Sequence, residues 1–272
     1  MDIIEITNKI FNETPLRTEY IETGLTNDNY IVTLKNDKVV IRIPRKENAG
    51  LFDYALEDKI LKLVANLNLE PPLLYYNKLT GVKCSRYIEN VDTFEPKYIK
   101  RAAKLIKTLH DANLSSGKPF DIKHTFNMYK KRIKKPIYDT SFAHHYIDDL
   151  NLENIRLCHN DLVQGNLLFS DTKDYLIDFE YAGDNDPYFD IMSFITENDI
   201  IDHTQRQIFY KEYFGDLPSP SQKSRLDHFE IVHHVLWCEW AMMMYESQPL
   251  PIYKEIADLK YKRLNECIRK NL

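Results

Sequence analysis

The chain has 272 residues, of which 43% are hydrophobic and 28% charged, a balance typical of globular proteins. Its formal net charge of −5 offers no basic surface for a polyanion, so no nucleic-acid partner is expected. No apolar run reaches the roughly 18 residues of a membrane helix, and the first residues show no signal-peptide pattern. The four cysteines form no CxxC pair. These features favour a cytoplasmic protein without a membrane segment, disulfides or zinc.

The amino-terminal third of the sequence alternates between helix and strand patterns. Residues 1–17 carry isoleucines near helical spacing and predict a helix. Residues 20–44 are rich in Ile, Val, Tyr and Thr and predict a β-hairpin preceded by a glycine-containing loop. A helix is expected at about 50–66. Residues 70–90 predict two short strands around a turn at Leu79-Thr80-Gly81.

Beyond residue 90 the pattern becomes mainly helical. Residues 95–115 predict an amphipathic helix with a Glu-Pro start. Residues 167–179 predict another hairpin, and the chain from Pro187 onward predicts helices. The expected fold class is α+β and bilobal. A small antiparallel β-sheet lobe would cover residues 1–90, and a larger, mainly helical lobe would cover residues 91–272.

The stretch "CHNDLVQGNLLF" places a carboxylate, Asp161, five residues before a carboxamide, Asn166. Asp178 follows at the end of the next predicted hairpin. A carboxylate base with two oxygen ligands suits Mg²⁺ and a transferred phosphoryl group. Asp161 would accept the proton of a substrate hydroxyl, and the other two residues would bind the metal. On these residues alone, a capping Asp, a turn Asn and a strand end remain an open alternative.

Together with "YLIDFEYAGDNDPYFDI", this stretch resembles the choline/ethanolamine kinase family, within the aminoglycoside phosphotransferase and protein kinase-like group. It looks most like the bacterial choline kinases. The resemblance continues in order along nearly the whole chain. "TGLTNDNYIV" is similar to the phosphate-covering loop of the family, "VVIRIP" to its strand with a basic nucleotide-binding residue, and "TGVKCSRYIEN" to its hinge. The resemblance implies a protein kinase-like fold and a kinase that depends on ATP and Mg²⁺.

The same resemblance implies a role for each residue of the catalytic stretch. Asp161 matches the catalytic base, and Asn166 and Asp178 match the two magnesium ligands. His159 and Asp190 match residues that support the catalytic loop without reacting. The resemblance also implies that the amino-terminal lobe binds the nucleotide, and that the carboxy-terminal lobe carries catalysis and substrate binding.

For the nucleotide, the resemblance implies that Arg42 grips phosphate oxygens, with Glu57 as its ion-pair partner. Without the ordered match, a strand-edge charge and a solvated helix position are the simpler interpretations. The loop lacks the three-glycine pattern of protein kinases, so hydroxyl, amide and backbone donors would bind phosphate there. The adenine would meet backbone groups of the hinge. The predicted nucleotide-binding residues are Gly24, Thr26, Asn27, Arg42, Glu57, Arg86 and Ile88.

The chain has two tryptophans, Trp237 and Trp240, three residues apart on a predicted helix and therefore on one face. Aromatic faces beside carboxylates hold a quaternary ammonium through cation–π attraction. Spacing alone favours core packing for this pair. The resemblance instead implies that both tryptophans line a choline pocket, together with Glu180, Tyr181 and, in a looser alignment, Tyr261.

Other polar residues of the helical lobe are given structural interpretations. Glu239, between the tryptophans, is expected to be solvated. The pairs His144-His145 and His233-His234 are expected to be surface or core histidines, because adjacent helical residues do not converge on one metal.

The expected activity is transfer of the γ-phosphoryl group of ATP to choline, a cationic small-molecule alcohol. An ethanolamine or other amino-alcohol kinase with the same fold and mechanism is the main alternative. An aminoglycoside phosphotransferase is less favoured, since the tryptophan pair does not suit a wide acidic groove. A non-catalytic choline-binding pseudokinase is also less favoured, because Asp161, Asn166 and Asp178 are all present.

Overall fold

The computed structural model of the chain describes residues 2–22, 26–48 and 50–271. It is a mixed α+β structure, which confirms the fold class predicted from the sequence. The strands are β1 (Arg17–Ile21), β2 (Asn27–Thr33), β3 (Lys38–Pro44), β4 (Leu73–Tyr76), β5 (Lys83–Arg86), β6 (Asp92–Thr93), β7 (Arg156–Cys158), β8 (Leu167–Phe169), β9 (Asp174–Leu176) and β10 (Gly183–Asn185).

The helices follow the predicted order along the chain. They are α1 (Ile3–Phe11), α2 (Tyr54–Val64), α3 (Ile99–Asp111), α4 (Ile122–Arg132), α5 (His145–Asp148), α6 (Pro187–Glu197), α7 (His203–Phe214), α8 (Pro220–Ser247) and α9 (Pro251–Asn271). Among the described residues, no helix is both long enough and apolar enough to cross a bilayer.

The chain divides into two compact units. The first consists of Met1–Ser116 and Gln164–Ala182, and the second of Gly117–Val163 and Gly183–Leu272. The first unit therefore contains residues from both sides of the boundary predicted at residue 90. The assignment of nucleotide binding to one lobe and catalysis to the other remains a prediction.

A five-stranded antiparallel sheet forms most of the first unit, in the order β1-β2-β3-β5-β4. The predicted hairpin is confirmed, since Asn27 lies opposite Pro44 and Thr33 opposite Lys38. The predicted turn at Leu79-Thr80-Gly81 joins β4 and β5. An apolar core lies between α1 and this sheet and includes Ile6, Val32, Val39, Ile41 and Cys84.

The confirmed hairpin of β8 and β9 belongs to the same unit, where β6, β8 and β9 form a three-stranded sheet in that order. Leu167 lies opposite Leu176 at one end of the hairpin, and Phe169 lies opposite Asp174 at the turn end. Arg101 on α3 pairs with Asp174 and donates to the carbonyl of Ser170, which fixes the turn end. The other end of the hairpin carries Asn166 and Asp178.

Helix α8 is the central element of the second unit and contacts α4, α5, α6 and α9. Every residue from Phe229 to Met244 is buried, so this part of the helix has no solvated face. Helices that are buried all round are normally apolar, yet this one carries Glu230, His233, His234 and Glu239. Each buried polar side chain needs a partner inside the unit, because burial without a hydrogen bond is costly.

The turn between β4 and β5 generates a stability prediction. Gly81 has φ +71°, and a Cβ atom there would lie 2.6 Å from the ring of Tyr54 and 2.8 Å from Pro44. We expect Gly81→Ala to lower the free energy of unfolding by about 2–4 kcal/mol, from the left-handed backbone and from overpacking. Chemical denaturation followed by circular dichroism measures this loss.

Gly215→Ala is the matched control for Gly81→Ala. Gly215 also has a positive φ, +86°, but nothing lies within 4 Å of its Cβ position. The free energy of unfolding of Gly215→Ala should therefore fall by only about 1 kcal/mol, from backbone conformation alone. Equal losses in the two variants would show that the Tyr54 and Pro44 contacts are relieved at no cost.

Candidate functional site

Asp161 lies in a loop that follows β7, and the backbone before it is held by one carboxylate of α6. The N–H groups of His159 and Asn160 donate to the two carboxylate oxygens of Asp190, each at 2.7 Å. His159, Asn160 and Asp190 are fully buried. Hydrogen bonds of this kind, between backbone donors and a carboxylate, are short and strong. Asp190 thereby fixes the path of the chain immediately before Asp161.

The backbone after Asp161 is held in the same way, by residues that the sequence did not single out. The N–H of Leu162 donates to Oγ of Ser193, one turn along α6 from Asp190, at 2.9 Å. The carbonyl of Leu162 accepts from the amide of Asn198 at 2.9 Å. Asn160 is in the left-handed region, at φ +66°, and its side-chain oxygen accepts from Asn185 at 2.9 Å. The loop is therefore rigid on both sides of Asp161.

Tyr129 on α4 is electrostatically coupled to Asp161. Burial, and after it the negative charge of Asp161, raise the pKa of Tyr129 well above its ordinary value. The side chain therefore remains a neutral phenol at any physiological pH. Tyr129 was not predicted from the sequence, since a tyrosine on an amphipathic helix carries no signal of this coupling.

Asn166 and Asp178 lie at the open end of the β8–β9 hairpin. Asn166 directly precedes β8, and Asp178 follows β9 by two residues. The N–H of Ile177 donates to the carbonyl of Asn166 at 2.9 Å, which continues the pairing beyond the strands. Asp178 itself adopts the left-handed conformation, at φ +70°. The hairpin therefore places the two predicted metal ligands at the same end.

Arg42 on β3 is buried among three carboxylates. Its Nη2 lies 2.6 Å from Oε2 of Glu57, and its Nη1 lies 2.5 Å from Oδ1 of Asp178 and 3.7 Å from Oε2 of Glu180. Tyr76 donates to the same oxygen of Glu57 at 2.7 Å. Burial opposes the charge, but the three carboxylates raise the pKa of Arg42 well above its ordinary value. The predicted partner of Arg42 is thus in place, and two further acidic side chains are beside it.

Glu180 engages the side chains that follow the glycine-containing loop. Its Oε1 accepts from the hydroxyl of Thr26 and its Oε2 from the amide of Asn27, both at 2.8 Å. Burial, and after it the nearby charge of Asp178, raise the pKa of Glu180 to about 8. Glu180 was predicted from the sequence as a substrate residue, and the structure groups it with three predicted nucleotide-binding residues of the first unit.

The donor set at the hairpin end fits Mg²⁺. The amide oxygen of Asn166 and the carboxylate of Asp178 are hard oxygen ligands of the type this cation prefers. Mg²⁺ is usually held by one or two carboxylates, with water and substrate phosphates completing its coordination, so two protein ligands suffice.

A second buried ion pair contacts the backbone of Asp178. Glu70 and Lys83 lie 2.5 Å apart, and Glu70 accepts from the N–H of Asp178 at 3.3 Å.

The remaining predicted nucleotide-binding residues lie apart from this cluster or outside the described chain. Gly24 is outside the described residues. Arg86 ends β5 with an exposed side chain, and its N–H donates to the carbonyl of Pro72 at 2.9 Å. Ile88, two residues further, is half-buried. Any hinge contact of Arg86 with a nucleotide would therefore use its carbonyl rather than its N–H.

Trp237 and Trp240 meet each other on α8, as their spacing predicted. Their rings are 6.0 Å apart in a T-shaped arrangement, and the side chains are 6% and 8% exposed. Trp240 also meets Tyr253 edge-on at 5.7 Å. Tyr253 was not predicted, and it is the aromatic residue of α9 that joins the pair. Tyr261 instead stacks on Tyr138 at 4.2 Å.

Tyr181 belongs to the first unit, as does Glu180. Its ring is half-buried and meets Phe52 edge-on at 5.0 Å. Phe52 lies just before α2, the helix that carries Glu57. The ring of Tyr181 is therefore held by the same part of the chain that supplies the partner of Arg42.

The expectation that Glu239 is solvated is wrong. Glu239 is only 5% exposed, because α8 is buried on every side over this stretch. Its Oε1 accepts from the hydroxyl of Thr140 and lies 3.6 Å from Nε2 of His144. Burial, and after it the charge of Lys130, lower the pKa of His144.

His233 is a fully buried core histidine, as expected, and both of its ring nitrogens have partners. Its Nδ1 lies 3.0 Å from Nε1 of Trp237, and its Nε2 lies 2.8 Å from the carbonyl oxygen of Phe189. Burial, and after it the charge of Lys260, lower the pKa of His233 to about 3. The imidazole is therefore neutral near pH 7.

Comparison with known proteins supplies a family for these features. Residues 18–226 match the family model described as choline/ethanolamine kinase. The protein LicA of Haemophilus influenzae is 28% identical over 275 residues, which covers 90% of this chain and 98% of that protein.

Two solved structures share the fold. Choline kinase LicA from Streptococcus pneumoniae matches with a TM-score of 0.82 at 21% identity and covers 98% of each chain. LicA in complex with AMP matches with a TM-score of 0.80 at 22% identity and covers 97% of each chain. The protein kinase-like fold predicted from the sequence is confirmed by these matches.

The buried imidazole generates a prediction about pH. His233 has an ordinary pKa of 6.5 when unfolded and about 3 when folded, so below pH 6.5 only the unfolded state takes up its proton. Its contribution to stability should therefore fall as the pH is lowered from about 6.5 towards 3. Between pH 7 and pH 5 the loss is about 2 kcal/mol. Denaturant unfolding at a series of pH values measures it.

His233→Gln should reduce this pH dependence without abolishing it, because the pKa of the buried His234 is also lowered well below its ordinary value. His124→Gln, which removes an exposed imidazole, is the control and should leave the dependence unchanged. An unaltered slope in His233→Gln would mean that His233 is not neutral in the folded protein.

Proposed function

We propose that this chain, which belongs to the choline/ethanolamine kinase family and is therefore a phosphotransferase acting on an alcohol, transfers the γ-phosphoryl group of ATP to choline. The observation that carries the proposal is the loop around Asp161, whose backbone is held on both sides, in a chain that also places Asn166 and Asp178 at the same end of one hairpin. The AMP complex of LicA supports the use of a nucleotide.

Asp161 would act on the acceptor. Its carboxylate would orient the hydroxyl of the alcohol and take its proton as the oxygen attacks the γ-phosphorus in line, while the bond to the bridging oxygen breaks and ADP leaves. Positioning accounts for much of the rate in such reactions, since little covalent chemistry is left to the protein. The bonds from Asp190 and Ser193 to the loop support this role because they fix the backbone on both sides of the base.

Asn166 and Asp178 would hold Mg²⁺, which neutralises charge on the phosphates when it is bound. Arg42 would bind phosphate oxygens with the guanidinium that Glu57 now orients. Thr26 and Asn27 would donate to phosphate, as would the loop at Gly24. The adenine would meet backbone groups near Arg86 and Ile88.

Trp237 and Trp240 would bind the trimethylammonium group of choline. A quaternary ammonium donates no hydrogen bond, so aromatic faces and diffuse negative charge are the groups that can attract it. Glu180, Tyr181 and Tyr261 are proposed as further contributors, with Tyr253 added because its ring meets Trp240. Ethanolamine is the competing acceptor, and its primary ammonium needs hydrogen-bond acceptors more than rings.

A panel of acceptor alcohols tests the substrate. We expect coupled-assay turnover to give the highest kcat/KM with choline, compared with ethanolamine, thiamine and an aminoglycoside. Trp240→Leu keeps apolar volume but removes a ring, so it should lower kcat/KM for choline by about 2- to 30-fold and affect ethanolamine less. Phe142→Ala removes an exposed ring and serves as the control. A preference of the wild type for ethanolamine would overturn the choline assignment.

The role of Asp161 is tested by a nearly isosteric change. Asp161→Asn removes the base while keeping the shape of the side chain, so kcat should fall by about 10²- to 10⁴-fold. The melting temperature should change little. Asp171→Asn, in the exposed turn of the β8–β9 hairpin, is the control and should keep full activity. A kcat within a few-fold of the wild type in Asp161→Asn would rule out its role as base.

A further inference from the structure

His233 connects one of the two tryptophans to helix α6. It lies one helical turn before Trp237, so both side chains are on the same face of α8. An indole N–H can only donate and a backbone carbonyl can only accept. The two contacts of His233 therefore require an imidazole with its proton on Nε2 and a bare Nδ1. The hydrogen bonds thus run from Trp237 through His233 to Phe189.

The far end of this connection adjoins the catalytic loop. Phe189, whose carbonyl accepts from His233, directly precedes Asp190, whose carboxylate holds the N–H groups of His159 and Asn160. The imidazole also packs on the ring of Phe189 at a centroid distance of 4.0 Å. One turn of α6 therefore receives the bond from His233 and carries the carboxylate that fixes the chain before Asp161.

The hydrogen bonds of His233 lie away from solvent, and its imidazole does not change protonation state near neutral pH. His233, Phe189 and Asp190 are fully buried. The charged groups that act on His233 are Lys260 on α9, which opposes protonation, and Asp190 on α6, which favours it. Burial and Lys260 together outweigh Asp190 and hold the pKa of His233 at about 3, so the imidazole remains neutral throughout the usual assay range.

We propose that His233 is a positioning residue that fixes the ring of Trp237 and ties it to the turn of α6 that holds the Asp161 loop. This inference rests on the proposed function, because it assigns the cation end of the acceptor to Trp237 and its hydroxyl end to Asp161. A single buried imidazole then sets the two ends of the acceptor site relative to each other within the second unit.

Two amide substitutions separate the two bonds of His233. Asn places its amide near the position of Nδ1, and Gln places it near Nε2. His233→Gln keeps a donor for Phe189 but loses the acceptor for Trp237, so KM for choline should rise about 5- to 10-fold with kcat near that of the wild type. His233→Asn keeps an acceptor for Trp237 but loses the donor for Phe189, so kcat should fall about 10-fold with a smaller change in KM.

Trp237→Phe completes a double-mutant cycle. It removes the indole N–H but keeps an aromatic ring, so it should raise KM about as much as His233→Gln does. The double variant should then show no further increase in KM. His228→Gln is the matched control, because His228 lies on the same helix and also bonds a backbone carbonyl, that of Tyr146, at 2.7 Å. It should leave both constants unchanged.

Nuclear magnetic resonance gives a readout that does not depend on activity. The chain has two indole N–H signals, and Trp240→Leu assigns them. We expect hydrogen exchange of the Trp237 indole N–H to be slow in the wild type and at least 10-fold faster in His233→Gln, but not in His228→Gln. Unchanged exchange, or equal changes of kcat and KM in the Gln and Asn variants, would overturn the proposal.

The exchange measurement also separates this proposal from the proposed function. A wild type that prefers another alcohol to choline would contradict the choline assignment alone, and the split between KM and kcat would then be measured on that alcohol. If His233→Gln lowered only the melting temperature, with normal kinetics and normal exchange, His233 would be a core residue and not a positioning one.

Discussion

Burying a polar group without a partner is costly, and this cost constrains where the proposed functional side chains lie in both units. In the first unit, the buried guanidinium of Arg42 is surrounded by carboxylates, two of which it contacts within 2.6 Å. In the second, the buried carboxylate of Asp190 accepts two consecutive backbone N–H groups. Neither group can shift without leaving an unpaired charge, so each is fixed more firmly than apolar packing alone would achieve.

In the first unit, the groups proposed to bind phosphate already donate to carboxyl oxygens of the chain itself. Thr26 and Asn27 donate to Glu180, and Arg42 donates to Asp178. A phosphate offers the same chemistry as these carboxylates, so nucleotide binding would exchange one set of oxygen acceptors for another. The donors are therefore preorganised, and the cost of ordering their side chains is met when the protein folds.

Local signals in the sequence predicted much of this arrangement. The β8–β9 hairpin and its flanking Asn166 and Asp178 follow from strand and turn residues close together in the chain. Ser193, Tyr253 and Glu239 were missed or misjudged because their contacts are tertiary. Helix α8 is buried on every face, so no polar stripe marks which of its residues meet solvent and which meet a buried partner. The hydrophobic periodicity of a helix predicts which residues are buried only where one face of the helix is exposed to solvent.

Because α8 is buried, core packing and ligand binding are compatible roles for the tryptophan pair. Trp237 and Trp240 are core residues by exposure, and a ring that is to attract a cation gains from that position. Cation–π attraction strengthens as water is excluded, and it requires a ring face held in one orientation. The hydrogen bond from the N–H of Trp237 to His233 adds a directional constraint to this packing. The polar residue inside the core therefore does what an apolar one of equal volume would not, which is to give the ring a fixed direction.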